Sequence, residues 1–233
     1  MNLERYSRQK EVLGSEGQDK LLNSRVLVIG TGGLGSSVLY YLTASGVGTI
    51  GIVDKDELEI SNLNRQILHR EKSLGKDKSQ SAGRSLLEFN SELKLNIISE
   101  KLDKALAESL FPDYDIIINC VDNYNTRKIV SEIAVKFNKS VVEAGIEMMH
   151  GFVQIIIPGE TACFNCFNLE EKEIKRQVLG AAAGMIGCMQ SLECIKILTG
   201  KWDKSYSYIS MDFNDYKTDR IFLSPAYYCC GCK

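Results

Sequence analysis

The chain has 233 residues, enough for one large α/β domain with a core that needs no disulfides. Its 28 Lys and Arg balance 30 Asp and Glu with both signs interspersed, so no basic block suits nucleic acid as the main partner. Only two His are present, His69 and His150, which argues against a His-based metal site or a Ser-His triad.

The N-terminus, Met1-Asn2-Leu3-Glu4-Arg5, has no apolar h-region, so no signal peptide is expected. Residues 25–30 read as a short, buried parallel strand ended by glycine. A helix is expected over 34–45, stopped by Gly46, and a second strand over 49–54. Together they make one βαβ unit. Further strands are expected at 95–99, 115–121 and 140–143, with helices at 76–88 and 126–137 between them. After Gly151 the pattern changes to strands at 152–157 and 206–211 around a helix at 181–198 that ends at Gly200. The weakly polar run 178–192 is judged too short, and too rich in Gly, Gln and Ser, to span a bilayer. Cytoplasmic placement follows, with the eight Cys reduced or metal-bound. The fold class is α/β: a Rossmann-like, doubly wound, mostly parallel sheet with an antiparallel C-terminal extension, as one domain over 1–233.

Gly30-x-Gly32-x-x-Gly35 lies where the first strand becomes a helix. Glycines there let backbone amides approach a phosphate at a helix N-terminus. Asp54 ends the next strand at the distance of an acid that bonds a ribose hydroxyl. These features point to a nucleotide. The residues beyond them favour ATP over a nicotinamide cofactor. Ser61-Asn62-Leu63-Asn64-Arg65-Gln66 adds a guanidinium and amides, and Lys78 opens the following helix. Such cationic groups suit a triphosphate and its departing pyrophosphate. Asp122, followed by Asn123, closes a buried strand on the same crevice and suits Mg²⁺; its plainer role is a helix N-cap. Cys120 reads as core.

In this order, the motifs resemble the ThiF/MoeB/HesA family, bacterial relatives of the ubiquitin-activating enzymes. The resemblance starts at Arg5-Tyr6-Ser7-Arg8-Gln9. It runs through Gly17-Gln18, Gly33 and its loop, Gly46-Val47-Gly48, Asp54, Ser61 to Gln66, Gly75, Lys78 and Asp122-Asn123. It closes with Gln190-Ser191-Leu192-Glu193 and the terminal cysteines. It implies adenylation of the C-terminal glycine of a small ubiquitin-like sulfur-carrier protein ending in Gly-Gly. It also implies that Gly33 and Asp54 contact the adenosine, and that Asn62, Arg65, Gln66 and Lys78 hold the phosphates. Asp122 would serve Mg²⁺ and catalysis. Arg8 would reach the ATP of the other subunit in a homodimer, much as an arginine finger does.

Cys163-x-x-Cys166 and Cys229-x-x-Cys232 form two pairs whose spacing suits a structural, tetrahedral Zn²⁺; Cys230 is an alternative to Cys229. Such a closed site leaves no place for a catalytic water. Members of the resembled family often carry a transfer cysteine in the loop after the first pair, but residues 168–177 contain none. That loop is either a contact for the carrier's tail or a solvated segment. A separate sulfur donor, a rhodanese or a cysteine desulfurase, is therefore expected, with no appended rhodanese domain. Two rival classes stand beside this reading: a NAD-dependent oxidoreductase, and a protein that binds a carrier without turnover.

Overall fold

The computed structural model describes residues 3–167, 177–227 and 229. One eight-stranded sheet runs through it. The strands are β1 (Arg25–Ile29), β2 (Thr49–Val53), β3 (Lys94–Ile98), β4 (Ile116–Asn119), β5 (Ser140–Glu147), β6 (His150–Ile156), β7 (Tyr208–Asp212) and β8 (Lys217–Ile221). Their order across the sheet is β3-β2-β1-β4-β5-β6-β7-β8. Pairing is parallel from β3 to β5, and antiparallel from β5 onwards. The doubly wound sheet and its antiparallel extension are as expected from the sequence.

Among the described residues six α-helices flank it: α1 (Ser7–Asn23), α2 (Gly33–Ser45), α3 (Lys78–Phe89), α4 (Lys104–Leu110), α5 (Tyr124–Lys136) and α6 (Gly180–Leu198). The central strands bury both faces, which explains their unbroken apolar runs. On β1, Val26 and Val28 join a core with Val38 and Leu42 of α2, Leu86 of α3 and Ile186 of α6. Their neighbours Leu27 and Ile29 face the opposite core, with Ala107 of α4 and Val130 and Ile133 of α5. The helix α6 is long and apolar enough, by length and composition, to cross a membrane. That exceeds the expected 178–192 limit, but Ala182, Ala183, Ile186, Gln190 and Cys194 are buried, and α6 packs on α2 and the sheet.

Three elements escape the sequence reading. Helix α1 is polar, breaks at Gly14 (φ 77°) and buries only Gly17, Gln18 and Leu21. Helix α4 is seven residues long, and only its Asp103 cap, which accepts from the Leu106 amide at 2.8 Å, marks it. Every residue of β8 is exposed, so it has no period-2 signal. Strand β5 also runs four residues past its expected end, because β6 pairs back along it from Glu147↔His150.

The strand order reverses between β2 and β4 on either side of β1. In an open α/β sheet the ligand crevice lies at such a switch point, beyond the carboxyl ends of the strands. The segments that leave β1 and β4 there are the glycine loop and the Asp122 loop.

Candidate active site

The glycine loop is shaped by close approach. Gly30 has φ 91°, and its amide donates to Val53 O at 2.8 Å. A Cβ on Gly35 would overlap the Gly30 carbonyl oxygen and stand 3.0 Å from its carbon, so only glycine closes this turn. Asp54, half-buried at the end of β2, holds the loop from one side. Its Oδ2 accepts from the Thr31 amide and the Thr31 hydroxyl, each at 2.7 Å, while Oδ1 accepts from the Asp56 amide at 2.9 Å. The acid expected to meet a ribose also braces the glycine loop.

The segment 59–66 folds back over that loop. Glu59 and Asn62 form a reciprocal capping box around a short 3-10 turn, and Asn62 Oδ1 accepts from the Glu59 amide at 3.1 Å. Asn62 therefore spends its carbonyl oxygen on its own segment. Gln66 and Arg65 lie beside the glycines. A Cβ on Gly32 would stand 3.6 Å from Gln66 Nε2, and one on Gly33 3.5 Å from Arg65 Cγ. Arg65 Nη1 donates to Ser61 O and Asn64 Oδ1, both at 3.0 Å. Buried Gln66 Oε1 has no hydrogen-bond partner among the described residues, an orphan acceptor beside the loop. Ser61 and Asn64 are exposed, and Leu63 is half-buried. The first turn of α6 seats the segment: Gly180 lies against Asn64 O and Arg65 Cα.

Lys78, at the first position of α3, is buried, and its Nζ sits 3.3 Å from Asp56 Oδ2. Asp122 is exposed in the loop between β4 and α5. The cap of α5 is Asn123, whose Oδ1 accepts from the Thr126 amide at 2.9 Å, so the plainer role weighed for Asp122 belongs to its neighbour. Behind this loop lies a buried polar network. Arg127 pairs with Glu143 and donates to Val121 O at 2.8 Å and Ala144 O at 2.9 Å. Asn119 donates to Glu143 at 2.7 Å, and Gln190 Nε2 donates to Asn119 O and Val142 O, each at 2.8 Å. Burial pushes the Glu143 carboxyl up, and Arg127 and Asn119 oppose that shift. Burial likewise pushes the Cys120 thiol well up, so it is core, as expected.

The sequence reading missed two features. The Arg127–Glu143 pair had one signal, the lone Asn119 in the apolar strand Ile116–Asn119, which demands a buried partner. The other is His69, whose ring lies against Thr31 O at 3.0 Å and Ser81 Oγ at 3.1 Å, contacts that carry no local signal in the sequence.

Arg8 is exposed on the first turn of α1. Its neighbour Gln9 donates to Gln18 at 2.6 Å and to Ser45 O at 2.7 Å, at the C-terminal end of α2. The glycine loop opens the other end of α2, roughly 20 Å away for a helix of this length.

Cys163, Cys166 and Cys229 are buried together, all Sγ atoms within 4.8 Å of one another. Cys163 Sγ is 3.8 Å from that of Cys166 and 3.6 Å from that of Cys229. A tetrahedron of sulfurs about 2.3 Å from zinc has edges of about 3.8 Å, so this cluster can hold the metal. The Ala226 amide donates to Cys166 Sγ at 3.3 Å, a bond that suits a ligand thiolate. Cys230, Cys232 and most of the 168–177 loop lie outside the described residues.

Comparison with known proteins agrees with this fold. The model of the ThiF family matches residues 6–229. "Adenylyltransferase and sulfurtransferase MOCS3" of Drosophila persimilis is 37% identical over 211 residues, 87% of this chain and 47% of that protein. MOCS3-1 of Zea mays is 38% identical over 205 residues, 84% of this chain and 44% of that protein. The chain thus spans about half the length of these curated relatives. Among solved structures, E. coli MccB with ATP superimposes with a TM-score of 0.87 at 26% identity, covering 98% of this chain and 74% of that one. E. coli MccB with AMPCPP and MccA gives a TM-score of 0.88 at 26% identity, covering 100% and 75%.

Proposed function

The chain belongs to the ThiF family, and from that premise we propose that it adenylates the C-terminal carboxylate of a small protein carrier at the expense of ATP. One observation carries the reading: Arg65 and Gln66 lie against the glycine loop that Asp54 braces, with Lys78 close by, all at the sheet's switch point. The ATP in the similar MccB structure supports the choice of nucleotide.

A carrier carboxylate oxygen attacks the α-phosphorus. A new P–O bond forms, the bond to the bridging oxygen breaks, and pyrophosphate leaves with the electron pair. Catalysis comes from positioning and charge neutralisation. The Gly32 and Gly33 amides and the N-terminus of α2 receive the phosphates. Arg65 and Lys78 neutralise them, which requires each to exchange its present partners for phosphate oxygens. Asn62 and Gln66 add amide donors, and Asp54 takes the ribose. Asp122, a hard oxygen donor at the mouth of the crevice, would hold Mg²⁺, whose bound charge neutralises the leaving group. Arg8, seated at the far end of α2 from its own loop, acts on the phosphates of a second subunit.

The carrier is a ubiquitin-like sulfur carrier ending in Gly-Gly. With no cysteine in 168–177, sulfur comes from a rhodanese or cysteine desulfurase. Cys163, Cys166, Cys229 and Cys232 would hold a structural zinc that ties the C-terminal segment to the turn after β6. The test is exchange of labelled pyrophosphate into ATP with a panel of purified sulfur carriers. Exchange with one carrier, lost when its final glycine is deleted, is expected. No exchange with any carrier refutes the reading, and nicotinamide turnover would replace it with the oxidoreductase.

A further inference from the structure

His69 is almost wholly buried, at 4% exposure, and both of its ring nitrogens are engaged. Nε2 is 3.0 Å from the Thr31 carbonyl, and Nδ1 is 3.1 Å from Ser81 Oγ. A carbonyl only accepts, so Nε2 carries the proton; burial favours the neutral ring, whose Nδ1 then accepts from the serine hydroxyl. The ring is thus a neutral bridge between the glycine loop and α3.

Each end of the bridge matters. The Thr31 carbonyl belongs to the same planar peptide unit as the Gly32 amide. In a trans peptide the two point in opposite directions, so a carbonyl held by the imidazole turns the Gly32 N–H away from it. Asp54 fixes the preceding peptide through the Thr31 amide and hydroxyl. Thr31, fully buried, is therefore clamped at its N–H, its side chain and its carbonyl. At the other end, Ser81 lies three residues after Lys78, on the same face of α3. The His69 amide also donates to Gln66 O at 3.1 Å, which ties the ring's own backbone to the segment bearing Gln66.

We infer that His69 is a positioning residue for the triphosphate: it sets the Gly32 amide and holds the Lys78 helix at a fixed distance from it. This rests on the nucleotide reading above. The role does not involve touching the reacting atoms.

The test compares ATP with adenosine, which lacks the phosphates. Both are titrated into the wild-type chain and into His69→Phe and His69→Gln, with thermal unfolding as the check on folding. Wild-type protein that binds no ATP overturns the nucleotide reading, and this inference with it, before any variant is needed. Otherwise His69→Phe should lose ATP affinity by about tenfold or more, the effect of one buried hydrogen bond, with adenosine affinity changed less than about twofold. His69→Gln, whose amide can still donate to the Thr31 carbonyl, should recover part of the loss. A folded His69→Phe with ATP affinity within twofold of wild type overturns the inference. So does an equal loss for ATP and adenosine, which a merely structural residue would produce. If His69→Phe does not fold, Ser81→Ala decides, through the other end of the bridge: selective weakening of ATP supports the inference, and unchanged ATP affinity overturns it.

Discussion

Gly180 tests whether α6 sets the position of Arg65. A Cβ added there would stand 3.1 Å from Arg65 Cα and overlap the Asn64 carbonyl oxygen. Ordinary contact between such atoms is about 3.5 Å or more, so Gly180→Ala must push the 64–65 backbone away by roughly 1 Å. Overpacking of this kind costs about 1–3 kcal/mol of stability. A displacement of about 1 Å at a phosphate-positioning residue costs on the order of 10²-fold in rate. Gly184, one turn further along the same helix, is the internal control. Its added Cβ would meet only Ser37 Oγ, at 3.5 Å, an ordinary contact. There the change to Ala gains helix propensity, about 0.5–1 kcal/mol, without moving the site. Both variants are assayed by thermal unfolding and by carrier-dependent pyrophosphate exchange. Gly180→Ala should lower both stability and exchange, while Gly184→Ala should raise stability and leave exchange intact. If Gly180→Ala exchanges within threefold of wild type, α6 does not set the position of Arg65.

Elemental analysis should find one zinc per chain, and Cys163→Ser should remove it and lower the unfolding temperature, since a structural site contributes directly to folding; a zinc-free protein of unchanged stability contradicts this. Arg8→Ala and Asp122→Ala chains, each inactive alone, should recover exchange activity when mixed, because one site of each mixed dimer then carries neither defect. Confirmed subunit exchange without activity would mean that Arg8 does not act across the interface. Burial lowers the His69 pKa despite the bond to Thr31 and the nearby Asp54, with Lys78 and Arg70 lowering it further. Its neutral form therefore stabilises the fold fully above the unfolded value of about 6.5, and that stability is lost as pH falls from there towards the lowered folded value. Glu143, with its carboxyl pushed up, responds in the opposite sense. The measurement is therefore the difference in unfolding temperature between wild type and His69→Gln from pH 7.5 to 5.5. That difference should shrink as pH falls, and a constant one would show that His69 does not titrate with folding.

Much of the architecture is local and so is written along the chain. The apolar runs of β1, β2 and β4, the glycine between β1 and α2, and the Gly46 stop each follow from backbone sterics and burial over a few residues. Cys-x-x-Cys spacing likewise carries its own chemistry. The sequence is silent where an element has no periodicity to show, as in polar α1, the single-cap helix α4 and the wholly exposed β8. The finer site was also invisible, because its bonds join residues far apart in the chain. Asp54 braces the glycine loop only because β2 lies beside β1. Gly180 reaches Arg65 only because α6 packs on α2. His69 meets Thr31 and Ser81, respectively 38 and 12 residues away, only once α3 docks against the glycine loop. Residue type and spacing determine which chemistry the chain can perform, but only tertiary packing decides which of those groups are held in place, since a hydrogen bond needs its partner within about 3 Å.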